Sequence, residues 1–186
     1  MAITRITSPA ITSVASTAIS GTLPAANINN TSIGNVTALP AAIPTGEVLQ
    51  VVSANKTNSF TTTSTAFSDV TGLSVSITPS SSSNKILIIV TLYMSAEVSP
   101  LQAKLFRGES TELQFVQDYP VASNTYSTGS SVNMSILDTP STTSATTYKV
   151  QIASSNNGNN AKVNGRWDSG SADIGDSTIT VMEIAG

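Results

Sequence analysis

The run Lys85-Ile86-Leu87-Ile88-Ile89-Val90-Thr91-Leu92-Tyr93-Met94-Ser95-Ala96-Glu97-Val98 decides the fold. Ile86, Ile88, Val90, Leu92, Met94, Ala96 and Val98 fall at every second position, so an extended backbone puts all of them on one face. That is the pattern of a core strand. The opposite face starts apolar, with Leu87 and Ile89, and ends polar, with Ser95 and Glu97. A sheet side open to water would not carry Leu87 and Ile89, so a second sheet region or a neighbouring subunit is expected to cover them.

Shorter runs of the same kind surround this one. Val48, Leu49, Val51 and Val52 begin a strand with apolar residues on both faces, and Asn58 to Phe67 reads as an exposed or edge strand anchored by Phe60 and Phe67. Val70-Thr71-Gly72 reads as a turn, after which Leu73, Val75 and Ile77 alternate with polar residues up to Pro79. Leu101, Ala103 and Leu105 form the next strand, closed at Arg107-Gly108 and followed by a hairpin partner at Glu112 to Phe115. Residues 117 to 128 read as an irregular loop. Val132, Met134 and Ile136, then Tyr148, Val150 and Ile152, mark two further inward faces. Asn156-Asn157-Gly158-Asn159-Asn160 is a turn, because Asn-Gly tolerates the positive φ of tight β-turns. Ala161 to Trp167 and Ser177 to Ile184 complete the set. Eight or nine short strands with no helical stretch predict an all-β fold, an antiparallel β-sandwich or jelly roll.

Composition narrows the chemistry. The chain of 186 residues is rich in serine and threonine, has a formal charge of -3, and scatters its eight basic residues singly. Nothing in that distribution marks a nucleic-acid or anionic-membrane surface, so neither partner is expected. There is no cysteine and no histidine. Disulfides, thiolate nucleophiles, imidazole acid–base catalysis and the common zinc and iron ligand sets go with them, and no cofactor and no metal site is expected. After Arg5 the chain is broken by Ser, Thr and Pro where a secretory leader would be continuously apolar, and no stretch approaches membrane-spanning length.

The first 45 residues are of another kind. Arg5 is their one charge, and their apolar residues follow neither the helical nor the strand period. Pro9, Pro24, Pro40 and Pro44 interrupt any helix or central strand. Ile19-Ser20-Gly21-Thr22-Leu23-Pro24-Ala25-Ala26 is echoed by Val36-Thr37-Ala38-Leu39-Pro40-Ala41-Ala42. The expectation is two parts: an extended N-terminal arm, 1–45, and a β-sandwich body, 46–186. The arm returns Ile, Val and Leu too regularly for a solvated linker, so Ile19, Leu23, Leu39 and Ile43 are expected to contact sister subunits or an anchoring protein.

Several pieces resemble a known family. Gly46-Glu47-Val48-Leu49-Gln50-Val51-Val52, the Ser/Thr-rich run from Phe60, Val70 to Pro79, and the ending Ser177 to Gly186 resemble the terminal domain of tail-fibre-like structural proteins of bacteriophages, marine and cyanobacterial phages especially. The Ile19-Ser20-Gly21-Thr22-Leu23-Pro24 piece is similar to segments of longer phage fibres. The resemblance implies a homotrimeric virion component, a tail fibre or fibre tip. Its N-terminal arm would attach to a tail or baseplate protein, and its body would meet a glycan or protein on the host surface. The alternatives are an architectural virion part, such as a head fibre or collar, and a lectin-like glycan-binding module.

Candidate receptor-binding residues are Tyr119, Tyr126, Asn157, Asn159, Trp167 and Asp168, where aromatic rings stand beside amides and carboxylates. They are expected at the end of the sandwich opposite the arm. The candidate assembly residues are Ile19, Leu23, Leu39, Ile43, Leu87 and Ile89. Asp168, Asp173 and Asp176 match no calcium-loop spacing and read as a solvated acidic loop. Glu109 and Glu112 are the nearest approach to a glycosidase carboxylate pair, and they lack aromatic neighbours for a sugar groove. No catalytic residue is assigned and the chain is not expected to be an enzyme.

Overall fold

The computed structural model describes residues 46–96, 100–118, 129–166 and 175–186. All of these belong to one unit, Pro44–Gly186. Among them the chain forms ten strands and no helix: β1 (Val48–Lys56), β2 (Phe60–Thr62), β3 (Ser68–Ile77), β4 (Lys85–Ala96), β5 (Leu101–Arg107), β6 (Thr111–Asp118), β7 (Ser130–Asp138), β8 (Thr146–Ala153), β9 (Ala161–Val163) and β10 (Ser177–Ile184).

Every pairing is antiparallel. β4 is the hub of the larger sheet. One of its edges takes β7 from Ile86 to Met94; the other takes β10 along Lys85 to Thr91 and then β9 along Met94 to Ala96. β1 flanks β10, and β2 flanks β9. The smaller sheet runs β3, β8, β5, β6. With the short β2 and β9 set aside, the eight remaining strands, counted in chain order, form sheets 1-8-3-6 and 2-7-4-5. That interleaving is the jelly roll, the arrangement of two Greek keys.

Alternation explains most of this. Ile86, Ile88, Val90, Leu92 and Met94 of β4 meet Leu73, Val75 and Ile77 of β3, Leu101 and Leu105 of β5, and Tyr148, Val150 and Ile152 of β8 in one continuous core. Their parity is the one read from sequence. At an apolar yield of roughly 1.5–3 kcal/mol for each fully buried large side chain, this layer supplies the main drive for folding.

Three expectations need correction. Val70-Thr71-Gly72 is not a turn between strands. It lies inside β3, where the register against β8 shifts between Asp69 and Ser74 and Gly72 takes φ of 89°. The backbone resolves the polar-apolar irregularity with a bulge and keeps going. The strand expected over Asn58 to Phe67 is only Phe60–Thr62. Beyond it, the backbone N–H groups of Ser64 and Ala66 donate to the hydroxyls of Thr62 and Ser64, which competes with ladder formation. The strand from Ala161 stops at Val163 because Asn164 turns left-handed, with φ of 59°.

The two ends of the sandwich differ. Gly46 extends the β1–β10 ladder: its N–H donates to the Ala185 carbonyl, and Ala185 N–H donates to the Glu47 carbonyl. At this end lie the short connections 78–84, 108–110 and 139–145. At the other end stand the last residues of β1, β4, β6 and β8 and the first residues of β3, β5, β7, β9 and β10.

Candidate assembly surface

Six large apolar side chains stand exposed among the described residues, and five of them, Val48, Leu49, Val51, Ile89 and Leu137, gather on the outer face of the β4 sheet. The register explains how. Val51 lies opposite Met182, Met182 opposite Leu87, and Leu87 opposite Leu137, so one apolar row crosses β1, β10, β4 and β7. Nearer Gly46 the next row is Val48, Ile184 and Lys85. On the far side come Ser53, Thr180, Ile89 and Ser135, and then the wholly polar row Asn55, Thr178, Thr91 and Asn133. The face therefore grades from apolar at the Gly46 end to polar at the opposite end.

No second layer covers it among the described residues. Val51 is 56% exposed, Leu137 50% and Ile89 39%, and Leu87 is half-buried by its neighbours in the row. Of the two covers expected for Leu87 and Ile89, a second sheet region is not found among the described residues. Beside the row, Gly46, Ser83, Lys85, Leu137, Ile184 and Gly186 line a shallow groove of about 430 Å³.

The frame beneath this end is rigid. Glu183, 1% exposed, points inward between Met182 and Ile184. Its carboxylate accepts from Gln50 Nε2 at 2.6 Å, Ser80 N at 2.6 Å, Ser80 Oγ at 2.8 Å and Asn84 Nδ2 at 2.6 Å. Burial alone would raise its pKa; the donors from Asn84, Gln50 and Ser80 outweigh that and hold it at about 2. Gly186 N–H donates to Asn84 Oδ1 at 3.1 Å, so the same cluster fixes the C-terminal residue. The result ties β1, β10 and the 78–84 connection into one block under the apolar rows.

The opposite sheet is dressed differently. Lys149 lies between Glu109 at 2.6 Å and Asp69 at 3.0 Å, and both partners raise its pKa. Lys104 pairs with Glu112 at 2.6 Å and sits 4.5 Å from the Phe67 ring, which meets Phe115 edge to face at 6.2 Å. Glu109 and Glu112 are thus each committed to a lysine. A polar groove of about 400 Å³, bordered by Arg107, Glu109, Thr111, Pro140 and Thr142, lies beside them at the Gly46 end. Arg107 Nη1 bonds both oxygens of Asp138 at 2.7 and 2.8 Å, and the buried Tyr148 hydroxyl donates to Asp138 at 2.8 Å. Burial first, then that carboxylate, push the phenol well above its ordinary pKa. These groups are engaged with one another, which makes a stable surface.

No family of known proteins and no characterised protein matches the sequence. Among solved structures, the chain is similar to one in the structure of infectious bursal disease virus Gx strain, at 15% identity and a TM-score of 0.33, over 74% of this chain. The match spans 41% of that chain's length. A likeness at that level carries nothing about function.

Of the candidate receptor-binding residues, Asn157 and Asn159 are on the 154–160 turn, with Asn157 exposed and Asn159 half-buried. The turn is anchored by Gly158 N–H donating to the Thr63 carbonyl and Asn159 N–H to the Asn156 carbonyl. It stands at the end away from Gly46. Tyr119, Tyr126, Trp167 and Asp168 lie outside the described residues, and so do Asp173 and the assembly candidates Ile19, Leu23, Leu39 and Ile43. The sequence singled out Leu87 and Ile89 on this face, and the register adds Val51, Met182 and Leu137 to the same apolar patch. Parity was the available signal: each is apolar at a position out of step with the inward residues of its own strand.

Proposed function

We propose that this chain is a structural subunit of a virus particle, a short tail fibre or fibre tip, that assembles as a homotrimer. Its Gly46 end faces the assembly and its opposite end faces the host. The observation that carries this reading is the polarity of the outer face: apolar rows that no described residue covers at the Gly46 end, and a polar remainder. A jelly roll serves capsid and lectin proteins alike, so the fold alone does not choose between them. The resemblance of the Gly46 to Val52, Val70 to Pro79 and Ser177 to Gly186 segments to phage fibre domains favours the virion.

Host attachment belongs to the loops at the far end in this reading, with a cell-surface glycan or protein as partner and Asn157 and Asn159 among the contacts. The deciding experiment is the mass of the full chain in solution by light scattering. A trimer is expected at micromolar concentration; a monomer across the accessible range overturns the reading.

A further inference from the structure

Glycine follows asparagine twice in this chain, at Asn157-Gly158 and at Asn164-Gly165, and the fold treats the two pairs in opposite ways. The side-chain amide of an asparagine can be attacked by the backbone nitrogen of the residue after it. Glycine, with no Cβ to shield that nitrogen and few limits on its torsions, lets the attack proceed most readily. What decides the outcome is whether the amide can swing round to meet the nitrogen.

At Asn164 it cannot. Asn164 is 0% exposed and Gly165 is buried with it. Its Nδ2 donates to the Lys56 carbonyl at 2.6 Å and to the Asn58 carbonyl at 3.3 Å, and its Oδ1 accepts from Ser177 Oγ at 2.6 Å. Turning the side chain breaks all of these inside a close-packed interior. Asn157 stands on the outside of the 154–160 turn. Both it and Gly158 are exposed, and its side-chain amide makes no hydrogen bond among the described residues. At the reacting atoms the restraint is the bond from Gly158 N–H to the Thr63 carbonyl, at 3.1 Å. A single backbone bond at an exposed turn opens by local fluctuation and leaves the core intact.

We propose that Asn157 is a site of spontaneous deamidation in the folded protein and that Asn164, with the same sequence signal, is not. The Gly158 nitrogen gives its proton to hydroxide and forms a bond to Cγ of Asn157, closing a cyclic imide. The Cγ–Nδ2 bond breaks, and that nitrogen takes a proton from water and leaves as ammonia. Water then opens the ring on either side of the Gly158 nitrogen. Cleavage at Cγ leaves aspartate; cleavage at the backbone carbonyl carbon leaves isoaspartate, with the chain running through the former side chain. Either product puts a new negative charge on the turn. In the reading above this turn is among the host contacts, so conversion alters that surface with age, but the chemistry itself does not rest on that reading.

For the test, the full chain is kept folded in mildly alkaline buffer and conversion at each asparagine is followed by peptide mapping, with fragmentation that assigns the residue. Isoaspartate is scored independently with isoaspartyl methyltransferase. Asn157 should convert about tenfold or more faster than Asn164, because Asn164 reacts only after its site has opened. In urea the two rates should come together, since the unfolded chain offers both pairs the same freedom. Equal rates in the folded protein, or faster loss at Asn164, overturn the proposal. A ratio that persists unchanged in urea overturns it too, because flanking sequence and not the fold would then set the difference. The variant Asn157→Gln, whose longer side chain closes a larger and less favoured ring, should remove the signal from this turn and leave the urea midpoint at the parent value. Isoaspartate that still forms in the turn of that variant at the parent rate overturns the assignment to Asn157.

Discussion

At Glu183, burial opposes ionisation and four short donors favour it, and the donors win, so the carboxylate stays charged with no cation paired to it among the described residues. Its folded pKa of about 2 lies below the ordinary 4.5, so folding is favoured by the ionised form. The contribution is complete above pH 4.5 and is lost as the pH falls through that value towards 2. A shift of this size corresponds to about 3 kcal/mol at neutral pH. Glu183→Gln should therefore cost roughly 2–3 kcal/mol at pH 7 and progressively less below pH 4.5, read as converging urea midpoints of the two proteins. Parallel curves down to pH 2.5 would sink the assignment. Asn164 solves a similar problem without charge: fully buried and left-handed, it donates to the Lys56 and Asn58 carbonyls and accepts from Ser177 Oγ.

Among the elements, β4, β7, β8 and β10 were legible because strict alternation survives wherever one face is core and the register is unbroken. β3 was legible only after its bulge. Gly72 looked like a turn because glycine permits positive φ, and sequence does not say whether the chain reverses there or runs on. The bulge sits beside Lys56, and a Cβ on Gly72 would lie 3.9 Å from the Lys56 side chain, so space is not the constraint. The φ of 89° is. Gly72→Ala should then lose about 1–2 kcal/mol from backbone strain alone, measured by thermal or urea unfolding, while Gly158→Ala on the exposed turn tests the same cost where no strand is interrupted. β2 and β9 were overextended in the sequence reading for a different reason. Hydroxyl side chains and a left-handed asparagine end them, and such local hydrogen bonds leave no periodic trace. Half of the outer apolar patch was hidden for want of register: Leu87 and Ile89 announce themselves within one strand, but Val51, Met182 and Leu137 form a row with Leu87 only once β1, β10, β4 and β7 are aligned.

On the scale of the molecule, the jelly roll sorts its surface by end as well as by face. Short connections and the apolar rows occupy the Gly46 end, and the hydrogen bonds to Glu183 tie β1, β10 and the 78–84 connection together there. The one-charge composition of residues 1–45, with Ile19, Leu23, Leu39 and Ile43 spread along them, supplies more apolar surface in need of cover. Polar replacement there should separate two properties of the chain. With Ile19, Leu23, Leu39 and Ile43 all changed to Ser, the sandwich core is untouched, because every residue of that core lies between Val70 and Val181. The far-ultraviolet β signal and the unfolding midpoint at high protein concentration should stay near those of the parent. Association should fall by a factor of ten or more, since losing even about 1.4 kcal/mol per contact changes an equilibrium tenfold. Sulfate, which strengthens apolar burial, should partly restore it. Circular dichroism and urea unfolding read the first effect and sedimentation velocity across a concentration series reads the other two; unchanged association in the fourfold variant would remove Ile19, Leu23, Leu39 and Ile43 from the assembly.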